Sequence, residues 1–221
     1  MKSIKEIISQ NNLTNEFAKK LVEHEYIFNE IYKECNYSFI SGDGSYLFEG
    51  SLYEYSALMY PKQELLYNLA KESNSVLEVG VYMGHSLLIM LLANPFLKIT
   101  AIDLVDTYAK PSIQILKKYF PNADIQFYHG DSLKVLPLIS DVQFDLFHID
   151  GHHLEEHIRK EIEFCEALSG CKVFNKKAMR VVFDDIHCCK SFIDEILLKN
   201  EILKYVKAEC IWANCYIEYL L

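Results

Sequence analysis

The sequence predicts a doubly wound α/β fold, a mostly parallel sheet of seven strands with an antiparallel last strand and helices on both faces. Three observations predict it. From Pro61 onward, short apolar runs alternate with helical stretches of about 10–15 residues, the pattern of strand–helix–strand crossovers. The last two apolar runs, 202–208 and 211–221, have no room for a helix between them, so they must pair as a hairpin; a parallel crossover needs about a dozen residues or more. Finally, the first strand runs into a glycine-bearing turn that opens a helix, LEVGVYMGHS at 77–86.

In chain order, residues 14–35 read as a helix, with Phe17, Leu21, Phe28 and Ile31 among charges and Thr14 or Asn15 as its cap. Residues 37–60 hold 7 aromatics in 24 positions, where the chain average of 13% gives about 3. Residues 1–60 are therefore read as a helical and aromatic extension of one domain, a lid or pocket wall. Residues 61–221 are the main unit. Pro61 opens a helix to 72. Then follow a strand at 76–80, a helix at 84–94 stopped by Pro95, a strand at 98–103 and a helix at 111–120. Strands at 125–130 and 144–150, a helix at 153–168, a strand at 180–185 and a helix at 189–199 complete the alternation.

Composition excludes several classes of function. With 51% hydrophobic and 24% charged residues the chain is globular rather than disordered. A net charge of −9 without a basic cluster argues against nucleic acid or an anionic membrane as a partner. The longest clean apolar run, Leu87–Ala93, is far below the roughly 18 residues of a membrane span, and the N-terminal stretch lacks the apolar core of a signal peptide. Seven cysteines at irregular spacing, without a CxxC pair, suit buried thiols. A soluble, cytoplasmic protein is expected, with self-association left open.

The chemistry-bearing residues fall at strand ends. Gly80 and Gly84 flank the turn after the first strand, where helix N–H groups and bare backbone can approach a ligand. A dinucleotide fingerprint would need glycines at 80, 82 and 85, but 82 is Tyr and 85 is His, which disfavours a nicotinamide or flavin enzyme. Glu78 precedes the turn, and Asp103 ends the next strand, where an acid holds a ribose diol in such sheets. Gly130-Asp131-Ser132 ends the third and is placed to meet an adenine. Asp150, Asp184 and Asp185 end two further strands, and grouped carboxylates suit a hard cation, Mg2+ foremost. Histidines 148, 152, 153, 157 and 187 crowd the same stretch, with His153 and His157 at a spacing that can also bind zinc.

The order Glu78-x-Gly80-x-x-x-Gly84, Asp103, Gly130-Asp131-Ser132 resembles the class I S-adenosylmethionine-dependent methyltransferases, whose sheet is Rossmann-like. EVGVYMGHSLL is similar to the motif of the catechol and caffeoyl-coenzyme A O-methyltransferases, and FHIDGHH with VVFDD to sugar and macrolide O-methyltransferases. The resemblance spans roughly residues 57–221. It implies S-adenosylmethionine as cofactor, held by Glu78, Gly80, Tyr82, Gly84, Ser86, Asp103, Asp131 and Ser132. It also implies a divalent metal on Asp150, Asp184 and Asp185, and a small-molecule hydroxyl as acceptor. Where the catechol-type family carries a base lysine, three residues after the metal aspartate, this chain has His153; an imidazole can take the same proton, with His152 and His187 as rivals. Asp185 replaces the family's Asn, and the glycine-rich turn before the fifth strand is reduced to Gly170. Two other readings stand beside this one: a metal-dependent hydrolase or oxygenase built on the His/Asp cluster, and a non-catalytic nucleoside-binding domain.

Overall fold

In the computed structural model, residues 2–173 and 175–221 are described. Seven strands form one continuous sheet in the order β3-β2-β1-β4-β6-β8-β7. These are β1 (Ser75–Val79), β2 (Lys98–Asp103), β3 (Asp124–His129), β4 (Leu146–Ile149), β6 (Lys176–Phe183), β7 (Ile202–Lys207) and β8 (Cys215–Leu220). An eighth, the two-residue β5 (Lys172–Val173), pairs antiparallel with the start of β6. β1 to β4 and β6 pair in parallel, and β8 runs antiparallel to both its neighbours, β6 and β7. The last strand is thus antiparallel, as the short connection demands, and it lies inside the sheet rather than at its edge.

Each face of the sheet carries its own apolar layer. On one side α4 (Tyr60–Lys71), α5 (His85–Ala93) and α6 (Asp106–Tyr119) bury Leu66, Ile89 and Leu116 against Val76, Ile99 and Val182. The other side is covered by α7 (Ser132–Val135), α8 (Glu155–Leu168) and α9 (Lys190–Lys199), which bury Ile158, Ile162 and Ile193 against Leu77, Phe147 and Val181. Alternate residues of one strand, such as Val76 and Leu77, serve opposite layers, as a two-sided strand requires. Phe17, Leu21, Phe28 and Ile31 of the N-terminal helices belong to the first layer, so this extension shares the core of the main unit. No helix among the described residues is long and apolar enough to cross a membrane.

Local chemistry explains where elements depart from their expected bounds. The stretch read as one helix at 14–35 is two, α2 (Glu16–Glu23) and α3 (Glu25–Glu34), hinged at His24 (φ −116°, ψ 17°). There the Lys20 carbonyl meets both the His24 backbone N–H (3.1 Å) and the His24 ring (2.9 Å). An additional α1 (Ile4–Gln10) starts on a capping box between Ser3 and Glu6. α6 begins at Asp106, ahead of the expected start at 111, and carries Pro111 inside. Asp106 sits in the positive first turn and pairs with Lys110 one turn on. β6 begins at Lys176 rather than 180, since the hairpin with β5 supplies its early partners.

Candidate active site

Sheet order reverses between β1 and β4, and in open α/β sheets such a crevice beyond the strand carboxyl ends receives ligands. Here one cavity of about 680 Å3 opens over those ends, within the usual range for a small-molecule site. Gly80, Tyr82, Ser86, Asp103, Asp131 and Ser132 line it together with Asp150, His153, Asp184 and Asp185. The two groups of residues singled out in the sequence therefore share a single pocket.

Gly80 is required by close packing at the crevice. Its φ is +87°, and a Cβ there would lie 2.0 Å from the Asp150 carbonyl oxygen and 2.8 Å from the Gly151 nitrogen. Gly84 caps α5 in the left-handed region (φ +66°) and stays off the cavity wall. Asp103 is placed by backbone donors: Val81 N–H (2.7 Å) and Tyr82 N–H (2.8 Å) reach one carboxylate oxygen, and Val105 N–H (2.8 Å) reaches the other. It therefore ties the glycine turn to the end of β2 while still facing the cavity. Asp131 caps α7 through the Leu133 N–H (3.1 Å) and pairs with Lys134. That pairing holds its carboxyl below the usual range against the opposing effect of burial.

Glu78 departs from its expected place on the cofactor. It is wholly buried and absent from the cavity wall, because the His148 ring draws it under the sheet end, Nδ1 donating to its Oε1 at 2.8 Å. From His148 a buried chain of hydrogen bonds runs outward. His148 Nε2 lies 2.8 Å from the Tyr46 hydroxyl, which donates to Asp184 (3.3 Å) and accepts from the Asn214 amide (3.0 Å). Lys62 closes the chain with its ammonium 3.1 Å from both oxygens of Asp184. Burial opposes the charge on His148, but Glu78, Asp150 and Asp184 outweigh it and raise its pKa.

The opposite wall comes from residues 40–49. Tyr53 anchors this loop, stacked between Phe28 (4.3 Å between centroids) and Tyr32 (4.0 Å). The Tyr53 hydroxyl donates to the Phe28 carbonyl, so it must accept from His85 Nε2–H at 2.9 Å. His85 Nδ1 is then the acceptor for the Ser45 hydroxyl. Burial pushes the His85 pKa down to about 3, which fits this neutral tautomer. Tyr82 adds a second tie, its hydroxyl accepting from the Ile40 N–H at 2.9 Å.

Of the candidate bases, His153 lies between carboxylates: Nε2 is 3.6 Å from Asp150 and Nδ1 is 3.3 Å from Asp185. The bond to Asp150 raises its pKa against the effect of burial, with Asp185 and Asp184 adding to the rise. Burial alone would raise Asp150; His153, His148 and Lys62 bring it below the ordinary value. Burial and the nearby Asp150 push Asp184 up to about 7, while Lys62 and His148 resist. His152 also lines the cavity, stacked on His157 (5.0 Å); His187 is not part of the wall but lies beside Cys188 and the lining residue Trp212.

These placements do not fit the expected Mg2+ site. Lys62 already neutralises Asp184, and His153 stands between Asp150 and Asp185. Among the described residues, no group of three or more His, Cys, Asp or Glu side chains is arranged to hold an ion.

The sequence reading passed over Lys62 and Glu161. Lys62 did leave a signal: with Leu66, Leu69 and Ala70 it falls on the buried stripe of α4, at helical spacing. Glu161, fully buried in α8, accepts from the Ser132 hydroxyl at 2.5 Å, and burial pushes its pKa up to about 7 from an ordinary 4.5. The folded state therefore binds more protons than the unfolded chain between those values, and this group's contribution to stability falls as pH rises through the window. At about 1.4 kcal/mol per unit, Glu161→Gln should gain about 2–3 kcal/mol relative to wild type between pH 4.5 and pH 8. Urea unfolding at several pH values checks this, and a constant difference between the two proteins would refute it.

A methyltransferase-domain family model matches residues 77–186, from Leu77 in β1 to the turn after β6. No curated protein matches the sequence. Solved structures do match in fold at low identity. An O-methyltransferase from Bacillus cereus in complex with SAH is 11% identical, with a TM-score of 0.65, covering 98% of this chain and 96% of that one. The O-methyltransferase TomG from Streptomyces achromogenes, in complex with SAM and involved in tomaymycin synthesis, is 14% identical (TM-score 0.60; 88% and 89% covered). SAH-bound methyltransferase PaMTH1 from Podospora anserina is 13% identical (TM-score 0.60; 86% of each chain). With this domain seated on a sheet whose glycine turn, acid-tipped strands and crevice match the family pattern, the chain is a class I S-adenosylmethionine-dependent methyltransferase.

Proposed function

We propose that the chain methylates a hydroxyl oxygen of a small molecule. The observation that carries this reading is the shared cavity: the cofactor end, at Gly80, Asp103 and Asp131, opens into the space that contains His153 and its two aspartates. Bound S-adenosylmethionine would supply an electrophilic methyl group, whose bond to sulfur breaks as the new oxygen–carbon bond forms. The protein's part is alignment and deprotonation, and alignment of reacting groups can supply about 7–11 kcal/mol. Gly80 would let the backbone approach the cofactor, and Asp103 would hold its ribose. His153 takes the acceptor's proton; Asp150 and Asp185 hold the ring and stabilise the imidazolium that forms. The wall at residues 40–49 keeps water from the reacting atoms. The O-methyltransferases of similar fold support oxygen as the atom methylated.

Calorimetry with S-adenosylhomocysteine and NAD tests the cofactor half. S-adenosylhomocysteine should bind and NAD should not. Asp103→Ala should weaken S-adenosylhomocysteine by roughly 1.5–3 kcal/mol through lost charged hydrogen bonds. Undiminished affinity in that variant would remove Asp103 from the ribose. The acceptor half is tested by S-adenosylhomocysteine release over a panel of phenols, sugars and macrolide alcohols; turnover confined to amines or thiols would overturn it.

A further inference from the structure

We propose that Lys62 is the resident cation of this active site, standing where the resembling families place a divalent ion, and that the enzyme works without a metal. The inference rests on the methyltransferase reading but is tested apart from it. The side chain of Lys62 is only 4% exposed, yet it lines the cavity. Its ammonium lies 3.1 Å from both oxygens of Asp184 and 4.5 Å over the Tyr46 ring. A lysine is rarely buried in this way without a charge to meet. Here the partner is one of the carboxylates singled out for the ion, and the charges of Asp150 and Asp185 also act on Lys62.

A divalent ion and this ammonium would compete for Asp184. Mg2+ demands oxygen ligands at about 2.0–2.1 Å in octahedral array, while the ammonium already faces both Asp184 oxygens. Two cations in so dry a site would repel strongly, because the low dielectric that strengthens the ion pair strengthens the repulsion equally. The placement is also built in from beneath. Tyr46, which carries Lys62 over its ring face, is fixed by His148, Asp184 and Asn214, and Gln63 beside Lys62 donates to the Tyr46 carbonyl at 2.6 Å. Of the three ammonium donors, two go to Asp184, leaving one for an acceptor oxygen. Lys62 thus supplies what a metal would, a fixed positive charge beside the developing oxyanion, while His153 takes the proton.

The test is a Mn2+ titration of the full chain, read by the free-ion paramagnetic resonance signal, for wild type, Lys62→Met and Lys62→Met/Asp184→Asn. Wild type should show no saturable binding below about 1 mM. Lys62→Met, which exposes the aspartates to the ion, should bind at least tenfold more tightly, and the double variant should lose that gain. If Lys62→Met does not fold, wild type decides alone: micromolar Mn2+ binding that Asp184→Asn abolishes would overturn the proposal. Failure of Lys62→Met, once shown to be folded by circular dichroism, to gain Mn2+ would overturn it equally. Because none of these readouts involves methyl transfer, failure of the methyltransferase reading would appear separately, as absent S-adenosylhomocysteine binding.

Discussion

His153→Ala is expected to lose about 100- to 10,000-fold in kcat/KM, the range a general base supplies, with S-adenosylhomocysteine affinity little changed. The ring stands between Asp150 and Asp185, whose charges favour its protonated form. Only the neutral ring accepts a proton, so the wild-type rate should rise with pH through a step above the ordinary histidine value of 6.5. Removing Asp185 as Asp185→Asn takes away one stabilising charge and should move the step downward. His153→Lys should recover part of the rate at higher pH, since it restores the residue type of the catechol-type enzymes. A near-normal rate in His153→Ala would transfer the role to another group, with His152 and His187 tested in turn.

Gly80→Ala should be the most damaging single substitution in the cofactor half. The added methyl would stand 2.0 Å from the Asp150 carbonyl oxygen, at a φ of +87° that L side chains rarely adopt. Relief would require β1 and β4 to part at their carboxyl ends, which border the cavity. A loss of more than about 4 kcal/mol, or failure to fold, is expected, together with loss of S-adenosylhomocysteine binding. Gly42→Ala is the control: its φ is +92°, but an added Cβ meets nothing within 4 Å. It should cost only about 1 kcal/mol, separating backbone conformation from collision. Equal urea midpoints for the two variants would show that β1 and β4 yield easily.

The order of strands was legible because each apolar run ends in a recognisable turn and the final connection is too short for a helix. The site was legible as far as it depends on strand ends: Gly80, Asp103, Asp131, Asp150 and Asp184 all reach one cavity because a parallel sheet brings its carboxyl ends together. What periodicity could not give was the partner of each side chain. Glu78 and His148 lie on different strands, and only the β1–β4 register sets them opposite each other. Asp184 reads as a free carboxylate until Lys62, 122 positions earlier, folds against it. The expected 14–35 helix likewise gave no sign of its break, since His24 carries neither glycine's nor proline's backbone signature.

The internal position of β8 bears on how the protein is made. β7 leaves the ribosome before β8, yet among the described residues its only sheet neighbour is β8, and β6 also waits for that strand on its outer side. Until β8 emerges, β6 presents an open ladder of N–H and C=O groups, the kind of edge that recruits other chains. Arg180, midway along it, pairs in register with Glu218 of β8. Before that pairing, its charge interrupts the nascent edge, so the strand is guarded during the interval in which it has no neighbour. A substitution that slows the docking of β8 would therefore lengthen the aggregation-prone interval.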